Sequence, residues 1–421
     1  MLFVENALPG EELHAKVTEK KKKYGYGVKL YTSKVHVHAC EPGCMHFGAC
    51  GGCSFQNLIY DDQLRWKEKL VRDAFERIGG IAISSHEEVL FQNIQPSQQI
   101  YGYRNKMEFT VSRTKENIGI RKKGSFEDII DISTCKIHSE ESDEMYRTLR
   151  VLLSEQESIQ RLLEYVVIRW SYTNQHALIN FVTLNDSSRE LRQISKTLVE
   201  QHECVQGIVN SVAQLPLAKR RMKAEILLYG SGNVVESLDG INYRISTNSF
   251  FQTNTLQTIE LYRYIVQVAK LLPTDIVYDL YCGAGTIGLF LARHVDHVYG
   301  IEISQSSIND AKYNAAENGI GNATFIASDV AQGLENEHEL KSVSPDVIVV
   351  DPARSGLSSP TIVAIGKLAA RTIIYVSCNV ATCTRDVKLL IDCGYAVSSV
   401  KPFDLFPHTP HVEVVVSLEK N

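Results

Sequence analysis

The stretch DLYCGAGTIGL, from Asp279 to Leu289, decides the fold class of this chain. It begins inside an apolar burst, Ile276 to Tyr281, and sets Gly283, Gly285 and Gly288 in a GxGxxG spacing where a helix opens. Glycines at such a junction let the backbone turn tightly and approach a ligand closely. Downstream, Val298 to Ile303, Ala323 to Ala327, Asp346 to Val350 and Thr372 to Ser377 are further bursts, separated by helical stretches. Short β-branched runs alternating with helices imply a parallel sheet with right-handed crossovers, an α/β, doubly wound, Rossmann-like domain. Val412 to Leu418 follows a loop with Pro402, Pro407 and Pro410 and is read as a final strand.

The glycine spacing alone is shared by nicotinamide dinucleotide and S-adenosylmethionine sites. Glu302, ending the second strand, stands where a carboxylate accepts hydrogen bonds from ribose hydroxyls. Asp279, four positions ahead of the first glycine, suits a cofactor with a cationic amino-acid tail, whereas a dinucleotide places its pyrophosphate at the helix N-terminus. That favours S-adenosylmethionine. Ligands of open α/β sheets lie beyond the carboxyl ends of the strands. There the sequence places Asp351-Pro352-Ala353-Arg354, Ser377-Cys378-Asn379, and a loop carrying His408 and His411 ahead of Glu413. If the last strand runs antiparallel, Glu413 falls near Cys378. A lone cysteine at a strand end is ordinarily a small buried hydrophobe, and a glutamate opening a strand an edge residue. Together at a methyl-donor site they match one chemistry. Carbon 5 of uracil becomes nucleophilic only after a thiolate adds at carbon 6, and a base must then remove the carbon 5 proton.

Around this domain the 421 residues are ordinary: 44% hydrophobic, 22% charged, 44 basic against 49 acidic side chains for a net charge of -5. The balance excludes a disordered chain and a broadly basic nucleic-acid binder, so an RNA partner has to be argued from local patches. No run of eighteen apolar residues and no secretory leader is evident, which implies a cytoplasmic protein with no membrane partner. Asp61 to Ile78 reads as an amphipathic helix stopped by Gly79-Gly80. Lys106 to Ser112, Tyr165 to Trp170 and Ala177 to Leu184 read as strands around a helical stretch near Glu140 to Leu163, an α+β middle region. The first forty residues read as a few strands with a lysine run, Lys20 to Lys23. Four of the ten cysteines, Cys40, Cys44, Cys50 and Cys53, fall within fourteen residues. In a reducing compartment that grouping points to metal ligation rather than disulfides.

SFFQTN from Ser249, DLYCGAGTIGL from Asp279, DPARSGL from Asp351, SCNVATCTRDV from Ser377 and FPHTPHVE from Phe406 occur in order along the C-terminal domain. In these segments the chain resembles the RNA uracil-5-methyltransferases, which form 5-methyluridine in ribosomal or transfer RNA from S-adenosylmethionine. The resemblance implies a class I methyltransferase domain with Cys378 as nucleophile, Glu413 as proton-abstracting base, and Gln252, Tyr281, Glu302 and Asp351 as cofactor contacts. Asp329 is a further candidate for the adenine amino group, and Phe250 for stacking on an extruded uracil.

Cys44, Cys50 and Cys53, with Cys135 downstream, resemble the ligands of a four-iron four-sulfur (4Fe-4S) cluster in one branch of that family, Cys40 being extra. Four thiolates also suit zinc, but structural zinc usually uses two close pairs, and here there is one. The implied domains are residues 1–39, a partial OB-like (TRAM-type) RNA-binding module; 40–248, the central α+β domain with the cluster; and 249–421, the methyltransferase. FVENALPGEELHAKV looks like the second half of the OB-like module, so its first strands are expected to be missing. The RNA surface would include Arg104, Lys106 and the lysine run. Ribosomal RNA is favoured over transfer RNA by the iron-sulfur branch alone, and a monomer is expected. Two other functions compete: a nicotinamide-dependent oxidoreductase, which explains neither Cys378 with Glu413 nor the DPAR segment, and a non-catalytic iron-sulfur RNA-binding protein, against which the intact motifs argue.

Overall fold

The computed structural model describes residues 2–5, 7–83, 89–112, 114, 117–125, 127–217 and 221–421. Its C-terminal sheet has eight strands in the spatial order Ala323–Ala327, His297–Glu302, Ile276–Leu280, Val347–Val350, Thr372–Ser377, Glu413–Lys420, Tyr395–Phe403 and Leu90–Phe91. The first five run parallel, and Glu413–Lys420 is antiparallel to Thr372–Ser377. The strand order reverses beside Ile276–Leu280, so a crevice opens at its carboxyl end, where an open sheet takes its ligand.

Side chains alternate across a strand, and the sheet uses that to build two cores. Val277, Val347, Val349, Ile374, Val376 and Val415 face one side with the helix Thr255–Ala269. Tyr278, Leu280, Ile348, Val350, Ile373, Tyr375, Val414 and Val416 face the other with the helices Ser359–Leu368 and Val380–Asp392. Burial on both faces is why these strands read as continuous apolar runs.

The seven-stranded central sheet runs Met222–Gly230, Val205–Ala213, His176–Thr183, Leu163–Ser171, Lys106–Val111, Ile118–Arg121 and Ile129–Ile130. The helices Glu140–Ser154 and Ser188–Gln201 cover one face through Tyr146, Leu149, Leu191 and Ile194. The N-terminal sheet has the order Leu2–Glu5, Gly25–Lys34, Glu12–Lys20, with the lysine run at the turn between the last two.

Three segments that precede residue 249 pack on the C-terminal core. The helix Tyr60–Ala74, continued by the π-turn Phe75–Gly79 and closed by left-handed Gly80, buries Val71 and Phe75 in the C-terminal core, and Leu90–Phe91 adds an edge strand to that sheet. The hairpin Asn233–Leu238 and Ile241–Ser246 buries Val234, Leu238, Tyr243 and Ile245 there as well. An amphipathic pattern announces an apolar face without naming the core it covers. Among the described residues no helix is long and apolar enough to cross a membrane.

Candidate active site

The glycine turn is built around Asp279. Its carboxylate is fully buried, Oδ2 accepts the Gly288 amide at 2.8 Å, and burial pushes its pKa up to about 8. A side chain at Gly288 would stand 2.9 Å from that oxygen. Gly285 caps the helix Thr286–Leu291 at φ +76°, and a Cβ there would meet Phe325 at 2.8 Å. Tyr281, just past the first strand, holds φ +65°, costly for a non-glycine residue, with its hydroxyl 3.4 Å from Thr361 Oγ1. Glu302 ends the second strand and accepts the Ser304 amide at 2.9 Å. Asp329 caps the helix Val330–Asn336, its Oδ1 accepting the Gln332 amide at 3.2 Å.

Across the switch point Asp351 follows the fourth strand, and Gln252 Nε2 donates to its Oδ2 at 3.3 Å. Burial lifts Asp351 to about 7 against the pull of that hydrogen bond. Gln252 is held in turn by Asn105, whose Nδ2 donates to the Gln252 carbonyl at 2.9 Å and to Thr255 Oγ1 at 3.0 Å. Phe250, two residues earlier, is 68% exposed beside buried Phe251.

Cys378 follows the strand Thr372–Ser377, and Glu413 opens the strand Glu413–Lys420. Ser377 pairs with Val414 in the antiparallel ladder, so one further step of the register sets Cys378 across from Glu413. Glu413 is 1% exposed, and burial together with the Asp351 charge raises its pKa well above the usual carboxylate range. Burial, then the Glu413 charge, push the Cys378 thiol up to about 11. The Arg354 guanidinium opposes both shifts. Arg354 is placed by its own carbonyl, which accepts Asn379 Nδ2 at 2.8 Å and Thr382 Oγ1 at 3.1 Å. A thiol, a buried carboxylate and a cation that favours both anions therefore meet at the ligand face of a Rossmann-like sheet.

The sequence from residue 60 to residue 421 matches the model of the tRNA (Uracil-5-)-methyltransferase family. The chain belongs to that family. It is accordingly an RNA uracil-5-methyltransferase dependent on S-adenosylmethionine. An uncharacterized RNA methyltransferase of Caldanaerobacter subterraneus subsp. tengcongensis is 35% identical over 100% of this chain and 94% of its own length. One from Halalkalibacterium halodurans is 36% identical over 99% and 92%. The crystal structure of Pyrococcus abyssi tRNA (uracil-54, C5)-methyltransferase in complex with S-adenosyl-L-homocysteine superimposes with a TM-score of 0.77 at 27% identity, covering 99% of this chain and 94% of that one.

In this uracil-5-methyltransferase the cysteines expected to bind a cluster come together. Cys44, Cys50, Cys53 and Cys135 line one cavity, with Met107, Ile120 and Ile132 making its apolar wall. Burial raises Cys53 to about 11 and Cys135 to about 12. The Gly52 amide donates to Cys50 Sγ at 3.4 Å, and the His138 amide donates to the Cys135 carbonyl at 3.1 Å. Cys40 stays outside the cavity wall and donates to the Gln56 carbonyl. Among the described residues no group of three or more His, Cys, Asp or Glu side chains has the placement to hold a single metal ion.

Three residues of the methyltransferase site lay beyond the sequence reading. Arg354 stood in the DPAR segment without a role, although a cation beside a candidate thiolate is a signal. Asn105 and Lys67 carried none, because their partners, Gln252 and Asp404, lie 147 and 337 residues away.

Proposed function

We propose that the chain methylates carbon 5 of a specific uridine through a covalent Cys378 adduct, with Glu413 as the base and Gln252, Tyr281, Glu302 and Asp351 holding the cofactor. The observation that carries this reading is the Ser377–Val414 register of the antiparallel strands, whose next step sets Cys378 across from Glu413, next to Asp351. The Cys378 thiolate, favoured by Arg354, adds to carbon 6 of the uracil and makes carbon 5 nucleophilic. Carbon 5 takes the methyl group of S-adenosylmethionine, whose methyl–sulfur bond breaks with its electron pair staying on sulfur, leaving S-adenosyl-L-homocysteine. Glu413 then accepts the carbon 5 proton, the carbon 6–sulfur bond breaks with its electron pair returning to sulfur, and the thiolate is regenerated. Exposed Phe250 is suited to stack on the extruded base.

The cysteine cavity supports a four-iron four-sulfur cluster held by Cys44, Cys50, Cys53 and Cys135. Its four thiols and the Gly52 amide on Cys50 are the chemistry such a group takes, and a single zinc ion would need all its ligands about 2.3 Å from one point. When bound, the cluster joins the N-terminal segment to the central sheet. The three-stranded sheet of residues 2–34 fits the OB-like module, and a monomer is the proposed state. Ribosomal RNA is the proposed target. Transfer RNA is the second reading, favoured by the likeness to the Pyrococcus enzyme.

The test is incubation of anaerobically purified protein with 5-fluorouridine-substituted ribosomal and transfer RNA and S-adenosylmethionine. Fluorine cannot leave as a cation, so a denaturant-resistant adduct is expected at Cys378, and its nucleotide identifies the target. No adduct with either RNA, from protein that binds the cofactor, would overturn the covalent mechanism.

A further inference from the structure

Glu413 follows a nine-residue hairpin loop, 404–412, between the strands Tyr395–Phe403 and Glu413–Lys420. Tight hairpins need only two to five residues, and a loop this long has no intrinsic reason to hold one shape. Here four consecutive carbonyls of the loop are each held by a different part of the chain. The Leu405 carbonyl accepts Asn254 Nδ2 at 3.2 Å, and the Phe406 carbonyl accepts Lys67 Nζ at 2.9 Å. The Pro407 carbonyl accepts the Tyr103 hydroxyl at 3.2 Å. The His408 carbonyl accepts the Ser54 and Phe55 amides at 2.8 and 2.9 Å, directly after Cys53.

Lys67 is anchored for this task. It is fully buried, its ammonium lies 2.5 Å from Asp404 Oδ1, and Asp404 Oδ2 accepts the Tyr60 hydroxyl at 2.9 Å. His408 holds φ +66°, a conformation that persists in a non-glycine residue only when its surroundings over-determine it. Those surroundings are Gln63, whose Oε1 accepts the His408 amide at 3.0 Å, and the Tyr101 ring, stacked at 4.4 Å. Burial pushes His408 down to about 4, so its ring is neutral at physiological pH and packs as a structural element.

We infer that this row of donors is a clamp that fixes Glu413, making Lys67 and Tyr103 positioning residues for the second half of the reaction, the removal of the carbon 5 proton. The inference rests on Glu413 being the base. Cys378 follows a different strand, Thr372–Ser377, and none of the clamp's hydrogen bonds ends on it, so loosening the loop slows release of the methylated RNA more than addition. Because the Ser54 and Phe55 amides belong to the clamp, the cysteine segment is coupled to the base through the loop.

The test is single-turnover methylation of natural RNA by Lys67→Met, Tyr103→Phe and Glu413→Gln, reading the covalent methylated adduct and the released product separately on denaturing gels. Misplacing a catalytic group by about 1 Å can cost roughly a hundredfold. Lys67→Met is therefore expected to slow release roughly ten- to hundredfold while adduct forms at close to the parent rate. Tyr103→Phe, which removes one hydrogen bond and keeps the packing, is expected to move the same ratio less. Adduct formation and release falling together in both variants, or release unchanged in both, overturns the clamp. If Glu413→Gln gives no adduct the assignment of the base fails. If it traps adduct while the other two release normally, only the clamp fails.

Discussion

Replacing Glu413 by glutamine separates the two halves of the proposed reaction, and the structure gives the size of each effect. The side chain is 1% exposed and its ionised form is penalised by burial and by Asp351. Glutamine keeps the shape and removes the charge that helps lift Cys378 to about 11, so the thiolate forms at least as readily and addition is not slowed. Release loses its base. General-base catalysis contributes roughly 10²–10⁴-fold, about 2.7–5.4 kcal/mol of barrier, so the methylated adduct should accumulate to near one equivalent. Stability should move the other way. A carboxyl whose folded pKa lies above its unfolded one contributes stability at low pH that is lost as pH rises, so the variant should match the parent near pH 4 and exceed it at pH 8. The assay uses natural RNA with methyl-tritiated S-adenosylmethionine, denaturing electrophoresis and peptide mapping, with Cys378→Ala as the control that forms no adduct. Turnover within about tenfold of the parent and no trapped adduct would refute the reasoning, as would an adduct on buried Cys383.

Arg354→Met removes the cation that opposes both pKa rises, so the rising limb of the rate profile should move to higher pH, with the largest loss near pH 7; a pH series of kcat/KM checks it. Gln252→Ala strips Asp351 of its donor, and cofactor affinity measured calorimetrically should fall about 10–100-fold, the range for a hydrogen bond to a charged group. Gly285→Ala forces a side chain into φ +76° and against Phe325, costing about 2–5 kcal/mol in thermal or denaturant unfolding. Serine at Cys44, Cys50, Cys53 or Cys135 should abolish bound iron and acid-labile sulfide, whereas Cys40→Ser should retain both.

Much of the C-terminal domain was legible because its information is local. The bursts at Ala323 to Ala327 and Thr372 to Ser377 coincide with the strands, and the second is buried on both faces, which makes its middle residues apolar in succession. The strand Tyr395–Phe403 escaped notice: it mixes Ser398, Ser399 and Lys401 into an outer position where only part of it is covered. The helix after Asp61 was legible in length and in its glycine stop, but its attachment to the C-terminal core was not. That attachment depends on Val71 and Phe75 meeting residues some three hundred positions away.

The candidate site divides the same way. Residue chemistry by itself determined that a methyl donor, a thiol and a carboxylate belong together, because uracil-5 methylation needs those groups and the motifs carry them in order. Only the tertiary structure decided how they meet. The antiparallel register brings Glu413 to Cys378, the loop after Asp351 brings the Arg354 charge to bear on both, and Lys67 crosses 337 residues of sequence to hold Asp404. The physical reason is that electrostatic and hydrogen-bonding partners are selected by distance in space, and a one-dimensional pattern records only which groups seek a partner, not which partner the fold delivers.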